Sequence, residues 1–184
     1  MKRALRRALD RVGHAVSSVQ VRWCRWRGGG RRVTVIDIDN TLADAWPSYL
    51  VEWSSHRDRL RSLTVLPGMR VAAHDAALAR GDLVVFLSHR NWWEWGLTRR
   101  WLHANGFAVG VANLVLVASP ADKIDHLTAL SEGGPVAVWD DLTHAQETGE
   151  PQQYAEVVDA FAMLGVEHHG FAEIEAIVEA AGGR

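Results

Sequence analysis

From Arg32 onward, short apolar runs alternate with longer segments of helical period, and this alternation constrains the fold more than any other feature of the chain. The runs Val33–Ile38, Leu83–Leu87, Leu114–Val117, Val136–Trp139 and a weaker Val166–His168 predict strands. Each is apolar on both faces, as a strand covered by helices above and below must be. Between them the periodicity predicts helices over Ser48–Arg61, Met69–Ala79, Trp92–Asn105, Ala121–Ser131, Gln152–Leu164 and Ala172–Ala181. Strands alternating with helices imply parallel pairing, so the expected class is α/β.

At 184 residues the chain is long enough for one domain with a substantial core and short for two. Its one cysteine, Cys24, has no partner for an internal disulfide and no second thiol to help hold zinc. No apolar run reaches the roughly 18 residues of a spanning helix. Arg6, Arg7, Asp10 and Arg11 interrupt any signal-like core near the amino terminus, so a cytoplasmic location is the expectation.

The net charge of −2 hides an asymmetry. Residues 1–32 carry ten Lys/Arg and one acid, whereas residues 33–184 carry ten against twenty-one. Within the basic segment, Leu5, Leu9, Val12, Val16 and Val19 recur at spacings of three and four, which predicts an amphipathic helix. Trp23 and Trp26 follow among Arg22, Arg25 and Arg27, and Gly28-Gly29-Gly30 reads as a joint. The expected organisation is therefore an arm over 1–31 and a domain over 32–184.

An open parallel sheet binds its ligand beyond the carboxyl ends of its strands, and here those ends carry acids. The first strand runs into Asp37-Ile38-Asp39-Asn40-Thr41, the second ends at Ser88-His89-Arg90 and the fourth at Asp140-Asp141, while Lys123 opens the helix before the fourth. Acids gathered from separate strand ends repel one another unless a cation lies among them. Oxygen donors with no cysteine nearby suit a hard ion, and Mg²⁺ is the usual one where phosphate adds further oxygens. A hydroxyl and a lysine complete what a phosphoryl group needs.

In order, type and strand context these residues resemble the four motifs of the haloacid dehalogenase (HAD) superfamily: Asp37, Asp39 and Thr41 as D-x-D-x-T, then Ser88, Lys123 and the pair Asp140-Asp141. The likeness spans roughly residues 33–170. It implies a Rossmann-like, HAD-like core of strand order 5-4-1-2-3 and a phosphatase in which Asp37 is the nucleophile and Asp39 the general acid and base. It further implies Mg²⁺ held by the Asp37 carboxylate, the Asp39 carbonyl and one or both of Asp140 and Asp141, with Thr41, Ser88, Arg90 and Lys123 on the phosphate or substrate. An aspartate at position 39, where transport ATPases of the superfamily have threonine, favours a phosphatase or a mutase.

The stretch Phe86–Arg90, followed by Leu97–Leu102, Trp139-Asp140-Asp141 and Gly165-Val166, is similar to the 3′-phosphatase domain of phage-type polynucleotide kinase/phosphatase. There Arg90 implies an S-x-R substrate contact, although His89 stands where glycine is usual. No G-x-x-x-x-G-K-[ST] loop accompanies it, so a kinase is not expected. About 40 residues separate the first motif from the second strand, too few for a cap domain. An open site and a large phosphate ester are the expectation, a polynucleotide 3′-phosphate or a lipid- or glycan-linked phosphate among them.

Plainer roles compete at several positions. Asp140 and Asp141 are common helix-cap residues, Arg90 has Glu94 four residues away as an ion-pair partner, and Trp92, Trp93, Trp95 and Trp101 serve a core as readily as a nucleic-acid base. His168 and His169, adjacent on a strand, point to opposite faces and do not form a metal pair. For residues 1–27 three partners stay open: nucleic-acid phosphates, an anionic membrane surface, or the domain or another chain. Rivals to the phosphatase are a phosphomutase, disfavoured by the missing cap, and a non-enzymatic nucleic-acid or membrane module built on the basic segment.

Overall fold

The computed structural model describes residues 2–145 and 150–183, with side chains from Val12 onward. The elements run α1 (Lys2–Gly28), β1 (Val33–Ile36), α2 (Trp46–Tyr49), α3 (His56–Ser62), a π-helical turn (Arg70–Asp75) continuing into α4 (Ala76–Arg80), and β2 (Leu83–His89). Then come a 3₁₀ turn (Trp92–Glu94), α5 (Trp95–Ala104), β3 (Leu114–Val117), α6 (Asp122–Ser131), β4 (Val136–Trp139), β5 (Thr143–His144), β6 (Gln152–Gln153), α7 (Ala155–Met163), β7 (Glu167–His169) and α8 (Phe171–Ala180).

Five strands form one sheet in the order β3-β2-β1-β4-β7, every neighbouring pair parallel. With the short β5–β6 ribbon set aside, this is the expected 5-4-1-2-3 order. Alternation along the strands feeds two cores. Ile36, Val84, Phe86, Leu114 and Leu116 face a layer containing Leu60, Ala77, Leu102, Ile174 and Val178 from α3, α4, α5 and α8. Val33, Val35, Val85, Leu87, Val115, Val117, Val136 and Val138 face Val21 and Cys24 of α1, Leu127 and Leu130 of α6, and Val157 and Phe161 of α7. The result is a three-layer Rossmann-like α/β domain.

Helix α1 is one of the three helices on that second face. Ser17 Oγ donates to the Leu116 carbonyl at 2.8 Å, Gln20 Nε2 to Val111 O at 2.9 Å, and Cys24 Sγ to Ala112 O at 3.0 Å. Residues 12–28 therefore pack on the domain through their small and polar side. The side chains of Leu5 and Leu9 lie outside the described ones.

Two helix boundaries differ from expectation. Ser48–Arg61 is not one helix but α2 and α3, because Pro47 opens the first and the Ser55 hydroxyl caps the second by accepting from Asp58 N at 3.2 Å. Gln152-Gln153 pairs with Thr143-His144 as a ribbon, so α7 begins at Ala155. A β-ribbon only two residues long has no period to read in the sequence. Between β1 and β2 the chain builds only short helices, and among the described residues no separate cap domain covers the carboxyl edge of the sheet.

Candidate active site

The carboxyl ends of β1, β2 and β4 lie side by side, and the loops leaving them enclose a cleft of about 240 Å³. Asp37, Asp39, Ser88, Lys123, Asp140 and Asp141 all line it. Asp37 extends β1 by one residue, its N–H donating to Trp139 O of β4 at 2.8 Å. The chain then turns sharply. Asn40 takes a left-handed conformation (φ 59°), and Leu42 and Ala43 both donate to Ile38 O, which brings Asp39 back toward the cleft.

Asp37, Asp140 and Asp141 are buried, and each offers a carboxylate oxygen within 4.8 Å of the others. Lys123 lies against them, its Nζ donating to Asp140 Oδ2 at 2.6 Å and standing 3.2 Å from Asp37 Oδ1. A reciprocal cap places it there: Ser119 N donates to the Asp122 carboxylate and Asp122 N to the Ser119 hydroxyl, setting the first turn of α6 over the cleft. Asp140 Oδ1 also accepts from Leu142 N at 3.1 Å. Asp141 accepts from Thr143 through both N–H and hydroxyl.

Charge crowding shows in the acidities. Burial pushes the Asp37 carboxyl up to about 6, the Lys123 ammonium opposing it and Asp140 adding to it. Burial, then Asp140 and Asp37, hold Asp141 well above the ordinary carboxylate range. Burial works against the charge on Lys123, but Asp140 and Asp37 outweigh it and raise its pKa.

Asp39 behaves oppositely. Arg90 grips its carboxylate with both fork nitrogens, Nε to Oδ2 and Nη2 to Oδ1, each at 2.7 Å. Burial alone pushes Asp39 upward, but the Arg90 guanidinium overcomes it and the net displacement is downward. Arg90 is itself buried, and its Nη1 donates to Thr98 Oγ1 at 3.2 Å. Its carboxylate partner is thus Asp39, while Glu94 pairs with His56 at 2.6 Å.

Among the remaining expected site residues, Ser88 has a buried hydroxyl facing the cleft with no aligned hydrogen-bond partner. Thr41 lies beneath the cleft rather than on its wall. It is fully buried, its hydroxyl donating to Asp141 Oδ1 at 3.4 Å and accepting from Asp141 N at 3.1 Å. Tyr49, His89, Thr143, His144 and Tyr154 also line the cleft, and His144 stacks on Tyr154 with ring centroids 4.4 Å apart. Of these five only His89 stood out in the sequence, as a departure from glycine; the others come from loops far apart in the chain that meet at one rim. His168 and His169 serve packing: His168 Nε2 bonds the Asp140 carbonyl at 2.8 Å, and His169 stacks on Trp139.

The donor set fits a hard divalent cation. Three buried carboxylates converge with one ammonium to balance them, Asp37 Oδ1 makes no aligned hydrogen bond, and the cluster contains no thiol or imidazole.

No protein-family model matches the chain, and no curated protein sequence matches it. Among solved structures, the class C acid phosphatase from Bacillus anthracis with tungstate bound is similar to it, with a TM-score of 0.51 and 15% sequence identity, covering 94% of this chain and 89% of that one. A second structure of the class C acid phosphatase from Bacillus anthracis aligns with a TM-score of 0.49 and 16% identity over the same shares of the two chains. At 15% identity the first of these likenesses establishes a shared α/β fold.

Proposed function

We propose that this protein is a HAD-type, Mg²⁺-dependent phosphomonoester hydrolase with Asp37 as its nucleophile. The observation that carries the reading is the convergence of Asp37, Ser88, Lys123, Asp140 and Asp141 from three strand ends and one helix start on a single cleft. The fold shared with an acid phosphatase supports it.

Asp37, Asp140 and Asp141 would hold the ion, which when bound neutralises the acids and withdraws charge from the phosphoryl oxygens. The chain's own residues do the rest. An Asp37 oxygen attacks phosphorus in line, forming an aspartyl-phosphate as the bond to the ester oxygen breaks. Ser88 Oγ and Lys123 Nζ donate to the equatorial oxygens, where transition-state charge spreads. Asp39, an ionised carboxylate while Arg90 holds it, takes up a proton from solvent on its release, gives that proton to the departing oxygen, then takes one from the water that hydrolyses the intermediate. For the first of these roles its carboxylate must exchange Arg90 for the leaving group. A poor leaving group therefore depends on Asp39 more than p-nitrophenolate does.

Without a cap, the cleft accommodates a bulky ester, a polynucleotide 3′-phosphate among them, but Arg90 reaches such a substrate only by releasing Asp39. The test is hydrolysis of p-nitrophenyl phosphate, nucleotides, 3′-phosphorylated oligonucleotides, and sugar and lipid phosphates, with Mg²⁺ or with chelator, by wild type and Asp37→Asn. The expected result is Mg²⁺-dependent release of phosphate that Asp37→Asn loses by about 10³-fold or more. A wild type inert toward every class in Mg²⁺ would overturn the reading.

A further inference from the structure

Helix α1 is mounted with its apolar stripe outward. Val12, Val16, Val19, Trp23 and Trp26 share one face at spacings of four and three, and Leu5 and Leu9 continue the series in sequence. Packing against the domain uses the opposite face, through Ser17, Val21, Cys24 and Gly28. Val12 is therefore 56% exposed, Val16 53%, Val19 67% and Trp26 77%. The patch widens beyond the helix, because the exposed Val111, Trp92 and Trp93 lie beside it across two shallow apolar grooves. Gly13 allows that approach, since a side chain there would meet Trp92 at 3.3 Å. Scattered exposed apolar residues need no explanation, but a continuous stripe of valine and tryptophan does.

The charges beside the stripe discriminate among occupants. Residues 2–28 hold Lys2, Arg3, Arg6, Arg7, Arg11, Arg22, Arg25 and Arg27 against Asp10 alone. Arg22 and Arg27 flank the stripe, with the Arg27 guanidinium 4.7 Å from the Trp23 ring centroid. A second copy meeting this face with its own would set arginine against arginine. Nucleic-acid phosphates would suit the arginines but leave the valines uncovered. An anionic bilayer satisfies both, taking valine and tryptophan into its interface while arginines reach the headgroups.

Position adds a consequence. A side chain at Gly28 would meet Leu83 at the start of β2, and Ser17 is bonded to Leu116, the register partner of Ser88. Eleven helical residues and five strand residues each span about 16 Å, so α1 runs antiparallel to the strands. Residues 2–16 thus extend about 22 Å beyond the level of Ser88, past the edge of the sheet where the cleft opens.

We propose that the outward face of α1, with Val111, Trp92 and Trp93, docks on anionic lipid bilayers and brings the cleft edge to the membrane surface. The docking surface stands independently of the phosphatase reading. The experiment mixes the full chain with vesicles of phosphatidylcholine, with or without phosphatidylglycerol, and follows co-sedimentation and tryptophan emission. Wild type sediments with the anionic vesicles and blue-shifts, binds neutral vesicles about tenfold or more weakly, and is released by salt. Val16→Ser/Val19→Ser/Trp26→Ser, on exposed positions, keeps its melting temperature and its activity on a soluble aryl phosphate but binds about tenfold more weakly. Arg22→Gln/Arg27→Gln, with the stripe intact, loses the preference for anionic lipid. Three results overturn the proposal: wild type left in solution with anionic vesicles, a triple variant that binds as wild type does, or a wild-type dimer or oligonucleotide complex that the triple variant abolishes in place of lipid binding. A wild type that binds anionic vesicles yet hydrolyses no phosphate ester would count against the phosphatase reading alone.

Discussion

Replacing Asp37 with asparagine should stabilise the metal-free protein while abolishing its chemistry. In the folded state the Asp37 carboxyl is raised from 3.8 to about 6, chiefly by burial. Because the folded pKa lies above the unfolded one, the contribution to stability is full below about 3.8 and is lost as pH rises through about 6. At pH 7 the ionised group therefore destabilises the fold by about 3 kcal/mol relative to a neutral isostere. For a chain of this length that corresponds to a melting temperature about 6–12 °C higher for Asp37→Asn in chelator. The advantage shrinks as pH falls below 6 and disappears near pH 3.8. Excess Mg²⁺ works the other way: at a hundred times its Kd it stabilises wild type by about 2.7 kcal/mol, and the variant, short of one ligand, gains less. Urea or thermal unfolding at pH 7 and pH 4, with chelator or with Mg²⁺, measures all four corners. An Asp37→Asn protein no more stable than wild type at pH 7 in chelator would refute the account of Asp37 as a carboxyl penalised by burial and by the neighbouring Asp140 and Asp39.

Three further substitutions separate positioning from chemistry. Ser88→Ala removes a buried hydroxyl that has no aligned partner, so stability should hold or rise slightly while kcat/KM falls about 10²-fold; unchanged kinetics would take Ser88 out of the site. Thr41→Val keeps the shape but removes both hydrogen bonds to Asp141, which should cost about 1–3 kcal/mol and weaken Mg²⁺ binding by about 10–100-fold, as read by calorimetry. Arg90→Gln leaves the part-buried Asp39 without its ion-pair partner, with only the more distant Arg59 and Lys123 as cations. The loss of about 3–5 kcal/mol at pH 7 should shrink at pH 5, as Asp39 takes up a proton instead of staying charged, and an equal loss at both pH values would show that the pair is not electrostatic.

Much of the fold was legible because β1, β2, β3 and β4 are apolar on both faces, a pattern that a doubly covered parallel sheet accommodates. Val33–Ile36, Leu114–Val117 and Val136–Trp139 formed as strands within two residues of expectation, and the acids at their ends converged on one cleft. Local chemistry decided what period could not: the Ser55 cap split one expected helix in two, and the two-residue β5–β6 ribbon displaced the start of another.

By itself, the sequence determined the α/β class and the set Asp37, Ser88, Lys123, Asp140 and Asp141, since strand period and residue type are local properties. Only the tertiary structure decided the partners. Arg90 lies four residues from Glu94 yet spans fifty-one to bind Asp39 through both nitrogens, and Thr41 spans a hundred to brace Asp141. The apolar stripe of α1 was equally plain in sequence, but which way it faces was not. Ser17, Cys24 and Gly28 let the helix backbone approach the sheet closely, and that approach left the valines and tryptophans outside.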